Sequence, residues 1–206
     1  MGADTPGMRP GSLGQPAPGS SGRAGVLIVP LIGLPGAGKS TIALALEREL
    51  GLRRVCRDAI RHAMFARGGY SFLEKRAAFR AVLLATEING LLGESSVIDG
   101  MTFSRRADYR QLAERAGRHG FELQPLFIDC PAALARERIA RDLSTKRHLA
   151  EDRKPDLVDA VAARFDTPPA EAVRIDATRS VGDMCRIAVA EVAAKLGKVQ
   201  GDSGAV

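Results

Sequence analysis

The chain is 206 residues long, which suits one domain with a full hydrophobic core. It carries 30 Lys and Arg against 24 Asp and Glu, a formal net charge of +6, but most of this charge is arginine scattered through predicted helices. With two Tyr, no Trp and no block of like charges, the composition argues against a dedicated nucleic-acid-binding face. We interpret the excess charge as a solvated basic surface.

The two ends of the chain differ in composition from the part between them. Residues 1–24 are rich in Gly, Pro and Ser and have no apolar run, so they are predicted to be a disordered leader and not a signal peptide. Residues 25–197 are predicted to form the domain, followed by a polar, disordered tail at 198–206. No stretch is long enough to span a membrane.

The three cysteines, at 56, 130 and 185, have neither disulfide nor metal spacing. We therefore expect a cytoplasmic protein.

The first predicted element is a buried strand at 26–32, in which Pro30 predicts a bulge or an irregular start because it lacks a ladder donor. Residues 33–41, GLPGAGKST, follow it and fill every position of the phosphate-binding pattern G-x-x-x-x-G-K-[ST]. A helix is predicted from Lys39 to residue 50. Glycines in such a loop turn backbone N–H groups toward phosphate oxygens, and the helix N-terminus adds positive potential.

This motif predicts a binding site for a nucleoside triphosphate. Lys39 is expected to reach the β- and γ-phosphates, and the Ser40 hydroxyl to ligate Mg²⁺. The predicted nucleotide-binding residues are Gly33, Gly36, Ala37, Gly38, Lys39, Ser40 and Thr41.

Strand and helix signals continue to alternate after the motif, which predicts a parallel sheet covered by helices on both faces. The first helix is expected to stop at Gly51. Ser71 and Glu74 have capping-box spacing and predict the start of a long helix that ends at Gly93. Further strands are predicted at 52–56, 95–98, 123–128 and 172–175, giving five in all, and a last helix at 181–196. The charged segment 144–156, poor in apolar residues, predicts a lid.

Two aspartates follow strands on the edge where parallel sheets bind ligands. Asp99 comes after the strand at 95–98 and is predicted to hold Mg²⁺ directly or through water. Asp58 follows the second strand and is predicted to orient and deprotonate an acceptor hydroxyl. A plain N-cap role for Asp58 remains open, and the two roles are compatible. Asp129, before Pro131, is interpreted as a cap.

Several arginines are candidates for binding phosphate or an anionic acceptor. Arg138 and Arg141 lie on the helix that enters the predicted lid, where they could supply positive charge to the transferring phosphoryl group. Arg61 and Arg105 are candidates for the acceptor site, as are Arg106 and Arg110. For each of these arginines, a solvated surface role remains an alternative.

The motif residues resemble those of small P-loop kinases: adenylylsulfate kinase-like, gluconate kinase-like and zeta-toxin-like AAA-type ATP-binding proteins. The resemblance covers residues 27–193 and is carried by the segments GLPGAGKST at 33–41, RDAIR at 57–61, VIDGMTF at 97–103, RIAR at 138–141 and FDTPP at 165–169. It implies transfer of a phosphoryl group from ATP to a hydroxyl, with Asp58 and Arg61 facing the acceptor and Arg138 in a lid. Members often space the lid arginines four apart, whereas Arg138 and Arg141 are three apart.

The sequence therefore predicts a three-layer α/β kinase that uses ATP and Mg²⁺ to phosphorylate a small molecule, with Lys39, Asp58 and Arg138 as catalytic residues. A nucleic-acid kinase, acting on a 5′-hydroxyl or an aminoacyl-tRNA, is one alternative. A non-catalytic nucleotide-binding regulator is another, and the chain has no Asn-Lys-x-Asp guanine-reading motif to support it. The acceptor and the oligomeric state are not predicted.

Overall fold

The computed structural model describes residues 25–65, 69, 71–144 and 156–202. Within them, strands and helices alternate along the chain. The strands are β1 (Leu27–Ile32), β2 (Arg53–Cys56), β3 (Ser96–Asp99), β4 (Glu122–Leu123), β5 (Leu126–Asp129) and β6 (Val173–Asp176). The helices are α1 (Lys39–Leu50), α2 (Arg57–Met64), α3 (Phe72–Leu91), α4 (Arg106–Arg118), α5 (Ala132–Ser144), α6 (Asp156–Ala162) and α7 (Val181–Asp202).

The strands form one parallel sheet in the order β2-β3-β1-β5-β6, with β4 also paired to β1. The prediction of five strands was short by one, because β4 and β5 replace the single strand expected at 123–128. The register of β1 is the same against both pieces, so no residue is inserted between them. In that register Pro30 lies opposite Pro125, and since neither has a backbone N–H, the ladder is interrupted there. The irregularity expected at Pro30 is therefore a gap in the hydrogen bonding between β1 and the strand beside it, and no bulge is formed.

Side chains of β1 alternate between two buried clusters, one on each face of the sheet. Val29 packs with Ile42 of α1 and with residues of α5 and α7. Ile28 packs on the other face with Val82 of α3 and with residues of α4. Because both faces are covered, β1 is apolar along its whole length instead of alternating between polar and apolar residues. The three-layer α/β prediction is confirmed.

The helix ends agree with the sequence signals, apart from the last helix. Gly51 caps α1 with φ of 69° and donates its N–H to the Glu47 carbonyl at 3.0 Å. The Ser71 hydroxyl accepts from the Glu74 N–H at 3.2 Å at the start of α3. Helix α7 continues to Asp202, beyond the predicted end at 196, so residues 198–202 of the predicted tail are helical.

Other predicted segments lie outside the described residues. These are the leader at 1–24, residues 145–155 of the predicted lid and residues 203–206 of the tail. Among the helices of the described residues, none has the length and apolar character needed to cross a membrane.

Candidate active site

The predicted phosphate-binding loop connects the end of β1 to the start of α1, at the carboxyl edge of the sheet. Gly36 has φ of +80°, and a Cβ at this position would lie 2.5 Å from the Ala135 carbonyl oxygen. Only glycine combines this backbone conformation with so close an approach to α5. The Gly33 N–H donates to the Thr102 carbonyl at 3.1 Å, which joins the loop to the segment after β3. The loop is therefore held from two sides before any ligand binds.

Lys39, the first residue of α1, is 5 % exposed and curls back over this loop. Its ammonium Nζ donates to the carbonyl oxygens of Gly33 at 2.9 Å and Leu34 at 2.7 Å. Both of these partners are neutral carbonyl groups, and a phosphate oxygen near Nζ would be a charged acceptor for the same ammonium group.

Asp99, the last residue of β3, is 1 % exposed and has a partner on each carboxylate oxygen. The Ser40 hydroxyl donates to Oδ1 at 3.0 Å, and Nη1 of Arg54 donates to Oδ2 at 3.3 Å. Arg54 also donates through Nε to Glu47 at 3.2 Å, so its guanidinium links β2, β3 and α1. The cation and the hydroxyl replace part of the hydration that the buried carboxylate loses.

Ser40 and Asp99 together present the hard oxygen donors that suit Mg²⁺. Among the described residues there is no group of three or more His, Cys, Asp or Glu side chains that could hold a metal by themselves. Mg²⁺ is usually held by one or two protein oxygens together with substrate phosphates, so the pair fits such an ion. The assignment of Asp99 to the metal stays a prediction.

A cleft of about 240 Å³, which we call the P-loop cleft, opens beside the phosphate-binding loop. It is lined by Gly36, Gly38, Lys39, Ser40, Thr41, Ile42, Arg138, Arg141, Asp142, Val181, Met184 and Cys185. Arg138 reaches across it from α5, donating to the carbonyl oxygens of Ala37 at 3.4 Å and Ala177 at 2.8 Å. The structure thus places the predicted arginine against the loop itself.

A second cleft of about 120 Å³, the Asp58 cleft, is also bordered by Lys39. It is lined by Pro35, Lys39, Arg57, Asp58, Lys75, Asp99, Gly100, Met101, Thr102, Leu157, Val161 and Arg164. Nη2 of Arg57 donates to Oδ1 of Asp58 at 3.2 Å. Gly100, with φ of +73°, passes so close that a Cβ there would lie 3.0 Å from the Asp58 nitrogen. Lys39 is common to both clefts.

Two predicted acceptor residues do not line the Asp58 cleft. Arg61 is 4 % exposed, and its Nη1 lies 3.9 Å from Oε2 of Glu74, so it links α2 to α3. Arg105 is exposed and precedes α4. Their predicted roles in substrate binding stay predictions.

Sequence reasoning missed the cations Arg57, Lys75 and Arg164 and the apolar pair Leu157 and Val161 of the Asp58 cleft. Arg57 had a usable signal, because it directly precedes Asp58 at the end of a strand. The other four come from α3, α6 and the turn after α6, and no spacing rule in the sequence links them.

The cysteines are free thiols, as their spacing predicted. Cys185 borders the P-loop cleft, and its Sγ lies 3.9 Å from the Thr41 carbonyl oxygen. Burial raises the pKa of the Cys185 thiol above its ordinary value. Burial likewise raises the pKa values of Cys56 and Cys130. A raised pKa lowers the fraction of a thiol that is present as the nucleophilic thiolate at a given pH.

Comparisons with known proteins match most of the chain. A family model described as an AAA domain matches residues 28–179. Adenylyl-sulfate kinase of Enterobacter sp. (strain 638) is 27 % identical over 159 residues, which cover 74 % of this chain and 75 % of that protein. Adenylyl-sulfate kinase of Citrobacter koseri is 29 % identical over 164 residues, covering 76 % of this chain and 78 % of the relative.

Solved structures with the same fold include two kinases. A gluconokinase from Sinorhizobium meliloti 1021 superposes with a TM-score of 0.61 at 17 % identity, covering 87 % of this chain and 95 % of that one. The Mycobacterium tuberculosis APS kinase in complex with AMPPNP and APS superposes with a TM-score of 0.58 at 19 % identity, covering 81 % and 96 % of the two chains. At these identities the structural matches establish the fold alone.

Proposed function

Since the chain belongs to the AAA domain family, we propose that it is a kinase that transfers the γ-phosphoryl group of ATP to a hydroxyl of a small molecule. One observation carries the proposal: the P-loop cleft and the Asp58 cleft meet at Lys39. A phosphoryl group bound by Lys39 in one cleft would face an acceptor placed beside Asp58 in the other.

The family and the fold confirm the predicted resemblance to small P-loop kinases. The adenylyl-sulfate kinase relatives and the gluconokinase neighbour are named for kinase activities on small molecules, which supports the same class of reaction here. Their acceptors differ from one another, so the names leave the acceptor of this chain open.

In the proposed reaction, the acceptor oxygen forms a bond to the γ-phosphorus while the bond from that phosphorus to the β,γ-bridging oxygen breaks. The acceptor proton passes to the Asp58 carboxylate, and ADP leaves with the electron pair of the broken bond. Loop N–H groups and Lys39 bind the phosphates, and Arg138 offers positive charge beside the loop. Asp58 suits the role of base because it borders the second cleft and its partner Arg57 orients it.

Ser40 and Asp99 are the residues that would hold Mg²⁺. When bound, the ion neutralises negative charge on the phosphates. Arg54 would continue to fix the orientation of Asp99 through Oδ2.

The experiment that tests the proposal measures ADP formation from Mg·ATP with and without a pool of small metabolites. The kinase proposal expects turnover to depend on the pool, and mass spectrometry of the product identifies the acceptor. Turnover that is unchanged by the pool favours a nucleotide-binding regulator. Turnover that needs added tRNA or a 5′-hydroxyl oligonucleotide favours a nucleic-acid kinase.

Lys39→Ala separates chemistry from folding in the same assay. It should abolish turnover and change the thermal midpoint of the nucleotide-free protein by at most about 2–4 °C, the shift expected for roughly 1 kcal/mol in a domain of this size. Lys198→Ala is the matched control, since Lys198 is exposed on α7 and lines neither cleft. Wild-type turnover in Lys39→Ala contradicts the nucleotide assignment.

A further inference from the structure

The Asp58 cleft has more positive than negative charge among its described lining residues. Four cations, Lys39, Arg57, Lys75 and Arg164, face two carboxylates, Asp58 and Asp99. Asp99 is already paired with Arg54, which lies outside the cleft lining. The described lining therefore has two more cations than carboxylates, and an excess of positive side chains attracts anions.

Arg57, at the first position of α2, has a donor that none of the described residues satisfies. Its Nη2 binds Asp58, whereas its Nε is buried and has no hydrogen-bond partner among the described residues. Buried polar groups in proteins nearly always have a partner, so this guanidinium beside the cleft has hydrogen-bonding capacity that the described residues do not use.

Arg164 contributes a second guanidinium from a distant part of the chain, just after α6. It makes no side-chain hydrogen bond or ion pair within the described residues and is exposed. Arginine is the side chain best suited to carboxylate and phosphate groups, because its planar N–H groups match two oxygens at once.

Apart from Gly100 and Thr102, the uncharged residues that line the cleft are apolar. Pro35, Met101, Leu157 and Val161 line it, and the described lining includes no aromatic side chain on which a base could stack. A short aliphatic skeleton suits these walls better than a nucleobase does.

We propose that the acceptor is a small aliphatic alcohol that carries an oxyanion, a carboxylate or a phosphate, and that Arg57 and Arg164 bind this group. The inference rests on the proposed kinase function, since it assigns the acceptor of the same reaction. Asp58 then faces the hydroxyl, while the two arginines hold the charged end and fix which hydroxyl is phosphorylated.

The first test divides a cell metabolite extract by charge. The extract is ultrafiltered to remove macromolecules and separated on an anion exchanger, and each fraction is supplied with enzyme and Mg·ATP. Phosphoryl transfer should occur with the retained, anionic fraction and be absent from the flow-through. Transfer only with the flow-through overturns this inference and leaves the kinase proposal standing. Transfer with neither fraction contradicts the kinase proposal, and this inference with it.

The second test measures steady-state kinetics on the acceptor identified in that fraction, beside an analogue that lacks its carboxylate or phosphate. Arg164→Gln should raise the KM for the anionic acceptor about tenfold to a hundredfold, the usual range for loss of a charge-assisted hydrogen bond, and leave the KM for ATP unchanged. Arg57→Gln should do the same, with an added loss of kcat because Arg57 also orients Asp58. Arg164→Lys should restore part of the affinity.

Arg118→Gln is the control for loss of one positive charge, because Arg118 is exposed at the end of α4 and lines neither cleft. It should behave as the wild type. For the neutral analogue, Arg164→Gln and wild type should have similar kcat/KM values. An unchanged preference for the anionic acceptor in both Arg57→Gln and Arg164→Gln overturns the assignment.

Discussion

The P-loop cleft and the Asp58 cleft share Lys39 and differ in how the chain builds them. Half of the residues that line the first belong to one continuous stretch, residues 36–42, and the rest come from α5 and α7. The second is assembled from side chains of several separate segments, between Pro35 and Arg164. A glycine-rich loop before a helix carries a sequence pattern for phosphate binding, whereas side chains that come from separate segments share no pattern. This difference explains why the nucleotide could be read from the sequence and the acceptor could not.

After the loss of turnover expected for Lys39→Ala, the largest expected effects come from the two aspartates, whose proposed roles divide between acceptor and metal. Asp58→Asn should lower kcat by roughly 10²- to 10⁴-fold and leave the affinity for Mg·ATP unchanged, because it removes the base. Asp99→Asn should instead raise the Mg²⁺ concentration needed for half-maximal turnover. Both are measured by ADP formation over a Mg²⁺ titration.

Asp129→Asn is the control for this pair, since Asp129 ends β5 at the same edge of the sheet but pairs with Arg174 and lines neither cleft. It should show wild-type turnover. The same metal dependence and the same loss in the Asp58 and Asp99 variants would contradict the division of roles.

A smaller effect is expected at Arg138, which extends from α5 into the P-loop cleft and contacts the phosphate-binding loop. Arg138→Met should lower kcat and kcat/KM together by about tenfold to a hundredfold, since a charge that acts only on the transition state affects both alike. Affinity for a non-hydrolysable ATP analogue should stay near that of the wild type. Arg136→Met, on the same helix and paired with Asp159, is the control. A weakened analogue affinity with unchanged kcat would instead make Arg138 a ground-state binding residue.

Alanine substitutions at three glycines with similar positive φ angles test how the backbone conformation at each cleft affects ligand binding. Gly36→Ala brings a Cβ to 2.5 Å from a carbonyl oxygen of α5 and should weaken nucleotide binding more than tenfold, because the loop must shift. Gly100→Ala, with a Cβ 3.0 Å from the Asp58 nitrogen, should impair use of the acceptor and spare nucleotide binding. Nucleotide affinity is measured by titration with a fluorescent analogue, and acceptor use by steady-state kinetics.

Gly93→Ala isolates the backbone strain, because φ there is +81° and no atom lies within 4 Å of the added Cβ. It should lower the free energy of unfolding by about 1–2 kcal/mol in urea denaturation and leave both binding functions intact. Equal losses of nucleotide affinity in Gly36→Ala and Gly93→Ala would mean that strain alone, and not the position of the loop, explains the effect.

The smallest expected effect is on the chemistry of Cys185 at the P-loop cleft. Because burial raises its pKa, the reactive thiolate is scarce at neutral pH. Its alkylation rate should keep rising with pH above about 8.5, the ordinary pKa of a cysteine thiol.

Mg²⁺ with a non-hydrolysable ATP analogue should slow alkylation of Cys185 and leave that of Cys56, which lines neither cleft, unchanged. Mass spectrometry of the labelled peptides measures each rate, and equal rates with and without the analogue would place the nucleotide away from Cys185.

The sequence by itself determined the parts of the molecule that depend on neighbouring residues. The loop at 33–41, the flanking strand and helix, the cap at Ser71 and the placement of Asp99 at a strand end all follow from local backbone conformation and short-range hydrogen bonds. The sequence also predicted the fold class, because strands apolar along their whole length with helices between them permit few arrangements other than a covered parallel sheet.

Only the tertiary structure decided which distant side chains meet. The split of the predicted strand at 123–128 depends on Pro125 lying opposite Pro30, a matter of register between strands that neither segment carries alone. Arg61 was expected at the acceptor and is buried against Glu74, whereas Arg57 and Arg164 border the Asp58 cleft together. Local patterns fix the conformation of a segment, but the packing of helices against the sheet fixes which of its side chains reach a common cleft.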